Sequence, residues 1–172
     1  IAAIRLLILT GMRKNEVLSL RWNDVDSEAG TIHLSDSKTG AKSIPLSAPA
    51  LEILSEMSKI TEEANPYVFP GNKAGSHLIG LQKIWERLRL EAELEDVRIH
   101  DFRHSFASVG ASGGDSLVIL GSILGHADAV TTARYAHLYD DSRKAAAERI
   151  AGQIAANLNG IEGEVVKLQR PS

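Results

Sequence analysis

Six side chains spread along this chain have the types that chemistry on a phosphate ester needs: Arg13, Lys38, His100, Arg103, His126 and Tyr135. Each falls at a helix start or a turn inside an otherwise apolar segment. Arg13 follows a Thr-Gly break, and Lys38 sits at the tip of a predicted hairpin. His100 and Arg103 are three apart, which places them on one helix face. Tyr135 comes nine residues after His126. Singly, each has an ordinary reading. Arg13 could pair with Glu16, Lys38 could be a solvated turn residue, and His100 could cap its helix. Arg103 could lay its stem along the surface, His126 could close a glycine turn, and Tyr135 could be a half-buried aromatic.

Together the six describe displacement at a phosphodiester. That reaction needs charge neutralised on the non-bridging oxygens, a nucleophile, and an acid for the leaving oxygen. Two arginines offer planar, permanently charged donors matched to phosphate, and such electrostatic stabilisation dominates phosphoryl transfer. A tyrosine hydroxyl is a weak nucleophile at its ordinary pKa of about 10, so a base or a cationic surround must help it. A lysine or a histidine can donate or accept the proton. No carboxylate pair and no histidine cluster has metal-ligand spacing, so neither a metal nor another cofactor is implied.

The elements that must position these groups follow from periodicity. Ile1 to Leu9 is apolar and helix-like, Thr10-Gly11 breaks it, and residues 13–20 resume a helix. Residues 22–26 read as a turn. Thr31-Ile32-His33-Leu34 and Lys42-Ser43-Ile44-Pro45-Leu46 alternate as short strands around a Ser35–Gly40 connection, and Pro45 predicts a sheet edge. Ala50, Ile53, Leu54 and Met57 have helical spacing, as do Leu81, Ile84, Trp85, Leu88 and Ala92. Tyr67 lies in a Pro-flanked loop between those helices and reads as packing. A further helix follows His100 to Gly113-Gly114, and Asp115 is the expected cap of the next, to Leu124. Asp128 is the expected N-cap of a short helix carrying Thr131 to Tyr135. A last amphipathic helix has Ala147, Ile150, Ile154 and Leu158 on one stripe, and its packing on the chain's own core is the simpler expectation. The fold class is mostly α with a small antiparallel β-hairpin or sheet.

At 172 residues the chain suits one domain with a real core. It has no cysteine, which excludes disulfides and thiolate metal sites and fits a cytosolic origin. No apolar run reaches the length of a membrane span, and no signal peptide opens the chain. Net charge is −3, which does not advertise a polyanion partner. Distribution matters more than the sum, however. Acidic residues gather in 52–63 and 86–96, whereas the cations at 13, 14, 21, 38, 42 and 103 lie mostly outside those runs.

Four stretches resemble the boxes of the tyrosine recombinases, the phage-integrase type. Thr10-Gly11-Met12-Arg13-Lys14-Asn15-Glu16-Val17-Leu18-Ser19-Leu20-Arg21-Trp22 is similar to the family's first-arginine box. Ser37-Lys38-Thr39-Gly40 with Ile44-Pro45-Leu46 is similar to the hairpin that carries its lysine. Ile99-His100-Asp101-Phe102-Arg103-His104-Ser105-Phe106-Ala107 is similar to its His-x-x-Arg box, with Phe102 where leucine is commoner. Leu124-Gly125-His126 with Thr132-Ala133-Arg134-Tyr135-Ala136-His137 is similar to the last box.

The resemblance implies a catalytic domain over residues 1–159 with a tail at 160–172. It also implies a helical core-binding domain upstream, since the abrupt apolar start reads as a fragment. Tyr135 would attack a DNA phosphate and give a 3′-phosphotyrosyl intermediate, followed by strand exchange without metal or ATP. Arg13, Arg103 and His126 would hold the phosphate oxygens, Lys38 would protonate the leaving 5′-oxygen, and His100 would assist proton transfer at the tyrosine. Glu16 would orient Arg13, His104 would be structural, and His137 has no assigned role. Tyr139 is the rival nucleophile. Implied partners are double-stranded DNA and further protomers in a synaptic tetramer, with no membrane, in the cytoplasm at the nucleoid. The last helix or the tail could dock on a neighbouring protomer. Two other readings stay open: a DNA-binding relative that has lost turnover, and a topoisomerase-like relaxing enzyme.

Overall fold

A computed structural model describes residues 1–35, 40–61, 64–126 and 129–158. Helix α1 (Ala2–Thr10) is the strut on which the larger core is assembled. It buries Ala3, Ile4, Leu6 and Leu7 against α3 (Ala48–Ile60), which returns Ala50, Ile53, Leu54 and Met57 at the expected spacing. Full burial of one such side chain contributes roughly 1.5–3 kcal/mol, so this interface anchors the domain. Gly11 ends α1 in the left-handed conformation, φ 63°, which costs a residue with a Cβ about 1–2 kcal/mol. A Cβ on Gly11 would lie 2.7 Å from Leu124 Cδ2 and 2.9 Å from Phe106 Cδ1. The chain then turns into α2 (Lys14–Leu18).

A three-stranded antiparallel sheet follows, in the order β1 (Val25–Asp26), β2 (Thr31–Leu34), β3 (Lys42–Pro45). The turn expected at 22–26 therefore ends in a third, two-residue strand, too short to leave a period in the sequence. Pro45 is on an edge strand, as expected. The register pairs Ile32 with Ile44 and Leu34 with Lys42. Because alternate residues share a face, Lys42 points to the same inner side as the buried Ile44.

Helix α4 (Leu81–Glu91) packs through Leu81 and Trp85; Ala92, expected on its apolar stripe, is its exposed C-cap. Trp85 meets Phe102 edge to face at 4.8 Å, so the phenylalanine fills core space. The Tyr67 ring stacks under the Arg21 guanidinium at 5.1 Å, which is packing. Helix α5 (Asp101–Gly113) links two clusters: Phe102 belongs to the main core, while Ala107 and Ala111 join Leu120, Leu124 and Tyr135 in a smaller one. Helix α6 (Leu117–Leu124) is capped by Ser116, whose Oγ accepts from the Ile119 N–H; the cap is not Asp115.

Helix α7 (Ala129–Ala133) ends before Tyr135, which lies in the turn that follows and not on the helix. The expected N-cap, Asp128, lies outside the described residues. Helix α8 (Asp140–Leu158) does not bury its stripe: Ile150 and Ile154 are 52% and 54% exposed, and Ala147 is exposed too. The expectation that this stripe packs on the chain's own core is thus corrected. Among the described residues no helix is long and apolar enough to cross a membrane. The tail at 160–172 lies outside the described residues.

Candidate active site

Arg13 is the N-cap of α2, and Glu16 occupies the third helical position, where a carboxylate is favoured by the free N–H groups and the helix dipole. Glu16 Oε2 accepts the Arg13 backbone N–H at 2.9 Å, and Oε1 accepts from the guanidinium at 2.9 Å. Lys42 Nζ donates to Oε2 at 2.8 Å from across the fold. The lysine and glutamate side chains are 8% and 10% exposed, so this pair is largely desolvated. Burial alone would raise the Glu16 carboxyl, but the bonds from Lys42 and Arg13 together hold it below the usual carboxylate range. Burial pulls the Lys42 ammonium down, against the opposing pull of Glu16, with Arg13 and Arg103 adding repulsion. Strand β3 is tied to Arg13 through this carboxylate. Lys38 lies outside the described residues.

Arg103 is 5% exposed, so it does not snorkel. Its guanidinium donates to Gly11 O at 2.8 Å and Leu124 O at 2.6 Å. These are carbonyls at the C-terminal ends of α1 and α6, groups that a helix cannot satisfy internally. Arg13 likewise reaches Gly125 O at 3.4 Å. Burial, then repulsion from Arg13, lowers Arg103 to about 10. No carboxylate among the described residues forms an ion pair with it. Three cations (Arg13, Lys42, Arg103) stand against one carboxylate here, which makes a cationic pocket inside an acidic chain.

Gly125 closes α6 with φ 65°, and the His126 N–H returns to Gly121 O at 2.9 Å. That turn aims the His126 ring at the buried Thr132, whose Oγ1 is 2.8 Å from Nδ1. Burial, with Arg103 and Arg13 close by, drives His126 down to about 4, so its imidazole is neutral at pH 7. The Thr132 hydroxyl can donate to or accept from Nδ1; where it donates, the ring proton sits on Nε2 and is available to an anion.

Tyr135 is 6% exposed, and its hydroxyl lies 2.6 Å from His104 Nδ1. Burial raises the phenol, while Arg134 and Arg103 pull it back in part. His104 is lowered by burial, by His100 and by Arg134. The His100 ring stands perpendicular to His104, centroids 5.0 Å apart, and is exposed. His100 occupies the N-cap position of α5 without a side-chain capping bond. Arg13, His100, Arg103, His104, His126, Arg134 and Tyr135 line one cavity of about 180 Å³.

The fold therefore gathers five of the six expected residues around a single space. Of three further residues at the site, Lys42 and Thr132 were given no role in the sequence reading and His104 only a structural one. Lys42 could have been found from strand alternation, which puts it on the face of Ile44. His104 stands one turn after His100, a spacing that places two imidazoles side by side. Thr132 gave no signal beyond its position between His126 and Tyr135. His137 Nδ1 pairs with Arg134 O at 2.8 Å and is exposed. The side chain of Tyr139 lies outside what the structure describes.

The phage integrase family model matches residues 1–142. The chain is 32% identical over 140 residues to tyrosine recombinase XerC of Erythrobacter litoralis, covering 80% of this chain and 46% of that protein. It is 34% identical over 145 residues to tyrosine recombinase XerA of Saccharolobus solfataricus, covering 81% and 46%. The solved XerH site-specific recombinase bound to difH substrate superposes with a TM-score of 0.67 at 30% identity, over 83% of this chain and 43% of that one. This chain belongs to the phage integrase family, the tyrosine recombinases, and has the fold of their catalytic domain. It spans about half the length of the curated relatives it matches.

Proposed function

We propose that this chain, over residues 1–159, is the catalytic part of a site-specific DNA recombinase. The reading rests on one observation above the others: a tyrosine hydroxyl, two guanidiniums and a neutral imidazole line the same small cavity. One water takes about 30 Å³, so the space accommodates a phosphate group. Arg13 and Arg103 neutralise its non-bridging oxygens, and His126 Nε2–H adds a third donor. Their positions are fixed beforehand by Glu16, by the helix-end carbonyls and by Thr132, so little reorganisation accompanies the reaction.

Tyr135 Oη forms a bond to phosphorus as the bond to the 5′-oxygen breaks. The products are a 3′-phosphotyrosyl link and a 5′-hydroxyl, the latter protonated by Lys38, with His100 assisting at the tyrosine. A second 5′-hydroxyl then attacks the phosphotyrosine and releases the enzyme, which conserves the ester energy and needs neither metal nor ATP. Double-stranded DNA is the substrate, and other protomers share the synapse in the cytoplasm at the nucleoid. The exposed Ile150 and Ile154 on α8 support contact with a neighbouring protomer. A core-binding domain upstream would complete the grip on the duplex.

The test is a nicked suicide duplex that traps the covalent intermediate. Wild type and Tyr139→Phe should form the adduct, and Tyr135→Phe should not. An adduct that survives Tyr135→Phe removes Tyr135 as nucleophile, and no adduct from wild type on any substrate sinks the enzyme reading.

A further inference from the structure

We infer that His104 takes the proton from the Tyr135 hydroxyl as the tyrosine attacks, and that His100 assists there only through His104. The inference deepens the proposed function and rests on Tyr135 being the nucleophile. Its basis is geometric. A general base must lie within hydrogen-bond reach of the proton it removes, and His104 Nδ1 stands 2.6 Å from Tyr135 Oη. Both residues face the cavity that Arg13, Arg103 and His126 line. His100 lines it as well, but its ring packs against the side of His104, centroids 5.0 Å apart, and it is the more exposed of the two. His104 therefore stands between His100 and the tyrosine in the chain of contacts.

The surroundings keep His104 in the state a base requires. From its own helix it faces His100, Asp101 and Arg103; from the turn after α7 it faces Arg134 and Tyr135; across the cavity lie Arg13 and His126. Asp101, which favours the imidazolium, is engaged by Arg98 at 3.0 Å, whereas Arg103 and Arg134 oppose it. Burial acts in the same direction as these cations, so the ring is held below its ordinary pKa and is neutral at pH 7. With the ring proton on Nε2, the Nδ1 lone pair accepts the tyrosine hydroxyl.

The step balances without a further reactant. As Oη bonds to phosphorus, its proton passes to Nδ1 and the bond from phosphorus to the 5′-oxygen breaks, that oxygen taking a proton from Lys38. On rejoining, the incoming 5′-hydroxyl gives its proton to the Lys38 amine left neutral by the first step, and the imidazolium at His104 returns one to the departing tyrosine oxygen. The phenol is raised and the imidazole lowered, so proton transfer follows the growth of the O–P bond and does not precede it. The neighbouring guanidiniums then also repel the imidazolium once the phosphate has reacted, which favours return of the proton.

Two measurements on the full chain decide the matter. Long-range 1H–15N spectra at pH 7.5, with the His104 signals assigned from His104→Gln, should show a bare Nδ1 and a protonated Nε2. Tyr135→Phe should move the His104 Nδ1 resonance and leave His126 nearly in place. A proton on His104 Nδ1 overturns the inference, because the tyrosine oxygen would then be the acceptor. The second measurement is single-turnover cleavage of nicked duplexes cut from the DNA flanking the gene, from pH 5.5 to 9. His104→Asn keeps a hydrogen-bonding atom near Nδ1 but cannot carry the proton. It should cleave about 10²-fold or more slowly, lose the histidine limb of the pH profile, and bind DNA as wild type does. His104→Gly should recover part of its rate on addition of imidazole. Cleavage by His104→Asn within about threefold of wild type assigns His104 a holding role and overturns the inference, and cleavage faster than wild type identifies the bond as a latch and overturns it too. If Tyr135→Phe still forms the adduct, or wild type forms none, the proposed function fails instead. The nitrogen spectra judge His104 in either case.

Discussion

Glu16→Gln removes the one carboxylate that neutralises the cationic pocket while keeping nearly the same shape. Glu16 receives two charge-assisted bonds, from Arg13 and Lys42, each 2.9 Å or shorter. Bonds of this type contribute about 1.5–3 kcal/mol each when buried. The amide oxygen still accepts one of them, and Arg13 is a quarter exposed and therefore screened. The expected cost is about 3 kcal/mol, carried mostly by a buried Lys42 left without its partner. For a domain of this size that is a fall of about 6–12 °C in Tm. The folded pKa of Glu16 lies below its unfolded value of 4.5, so an unfolded chain takes up the proton first as pH falls. The contribution is complete above pH 4.5 and is lost as pH drops through the folded value, so the gap between wild type and variant should narrow in acid. Thermal melts followed by circular dichroism from pH 7 to pH 3 measure both effects. Adding Lys42→Met to Glu16→Gln should recover most of the loss, since removing both members of a buried pair is close to neutral. A Glu16→Gln protein that melts within about 1 °C of wild type, or a double variant with no recovery, refutes the reasoning.

Gly11→Ala forces a Cβ into Leu124 and Phe106 at a left-handed position; about 2–4 kcal/mol should be lost in urea unfolding, and a loss below about 0.5 kcal/mol would count against the packing described. Arg103→Lys exchanges a fork for a point charge. One of the two carbonyls, Gly11 O or Leu124 O, is then left unpaired, for about 1–3 kcal/mol, and adduct formation should fall by about 10²-fold or more; normal adduct yields would contradict the assignment. His126 should titrate near 4 in proton NMR, below the ordinary histidine value, because of burial and the two guanidiniums. Since that folded value lies below the unfolded one, stability should decline as pH falls from about 6.5 towards 4. A midpoint close to 6.5 would mean that the ring is not in the cavity.

Helices with a long apolar stripe were legible because burial and period agree: α1, α3 and α5 lie where Leu6, Ile53 and Phe102 require them. What escaped were features decided by tertiary contacts. Strand β1 has two residues and owes its existence to pairing with β2. Ser116 caps α6 in place of the neighbouring Asp115, a choice of one residue that periodicity cannot make. Tyr135 leaves its helix early because the turn places the ring in the second core cluster. The stripe on α8 has a helical period, yet its described apolar members, Ile150 and Ile154, stay exposed. Within the site, the residue types marked the groups that line the cavity, whereas the groups that fix them did not stand out: Lys42 reads as a strand residue, and His104 reads as a helix neighbour.

Arg103 joins the ends of α1 and α6 and also faces the cavity, so one side chain serves both architecture and recognition. Tyr135→Phe removes one hydroxyl held by a single histidine and keeps the buried ring, so its structural cost is small. Loss of Arg103 would leave two helix-end carbonyls buried without donors and would select against the protein whatever its task. Exchange of Tyr135 for phenylalanine should therefore be tolerated where exchange of Arg103 is not. An arginine at this position is thus a marker of the fold, and the tyrosine hydroxyl is the marker of the proposed activity.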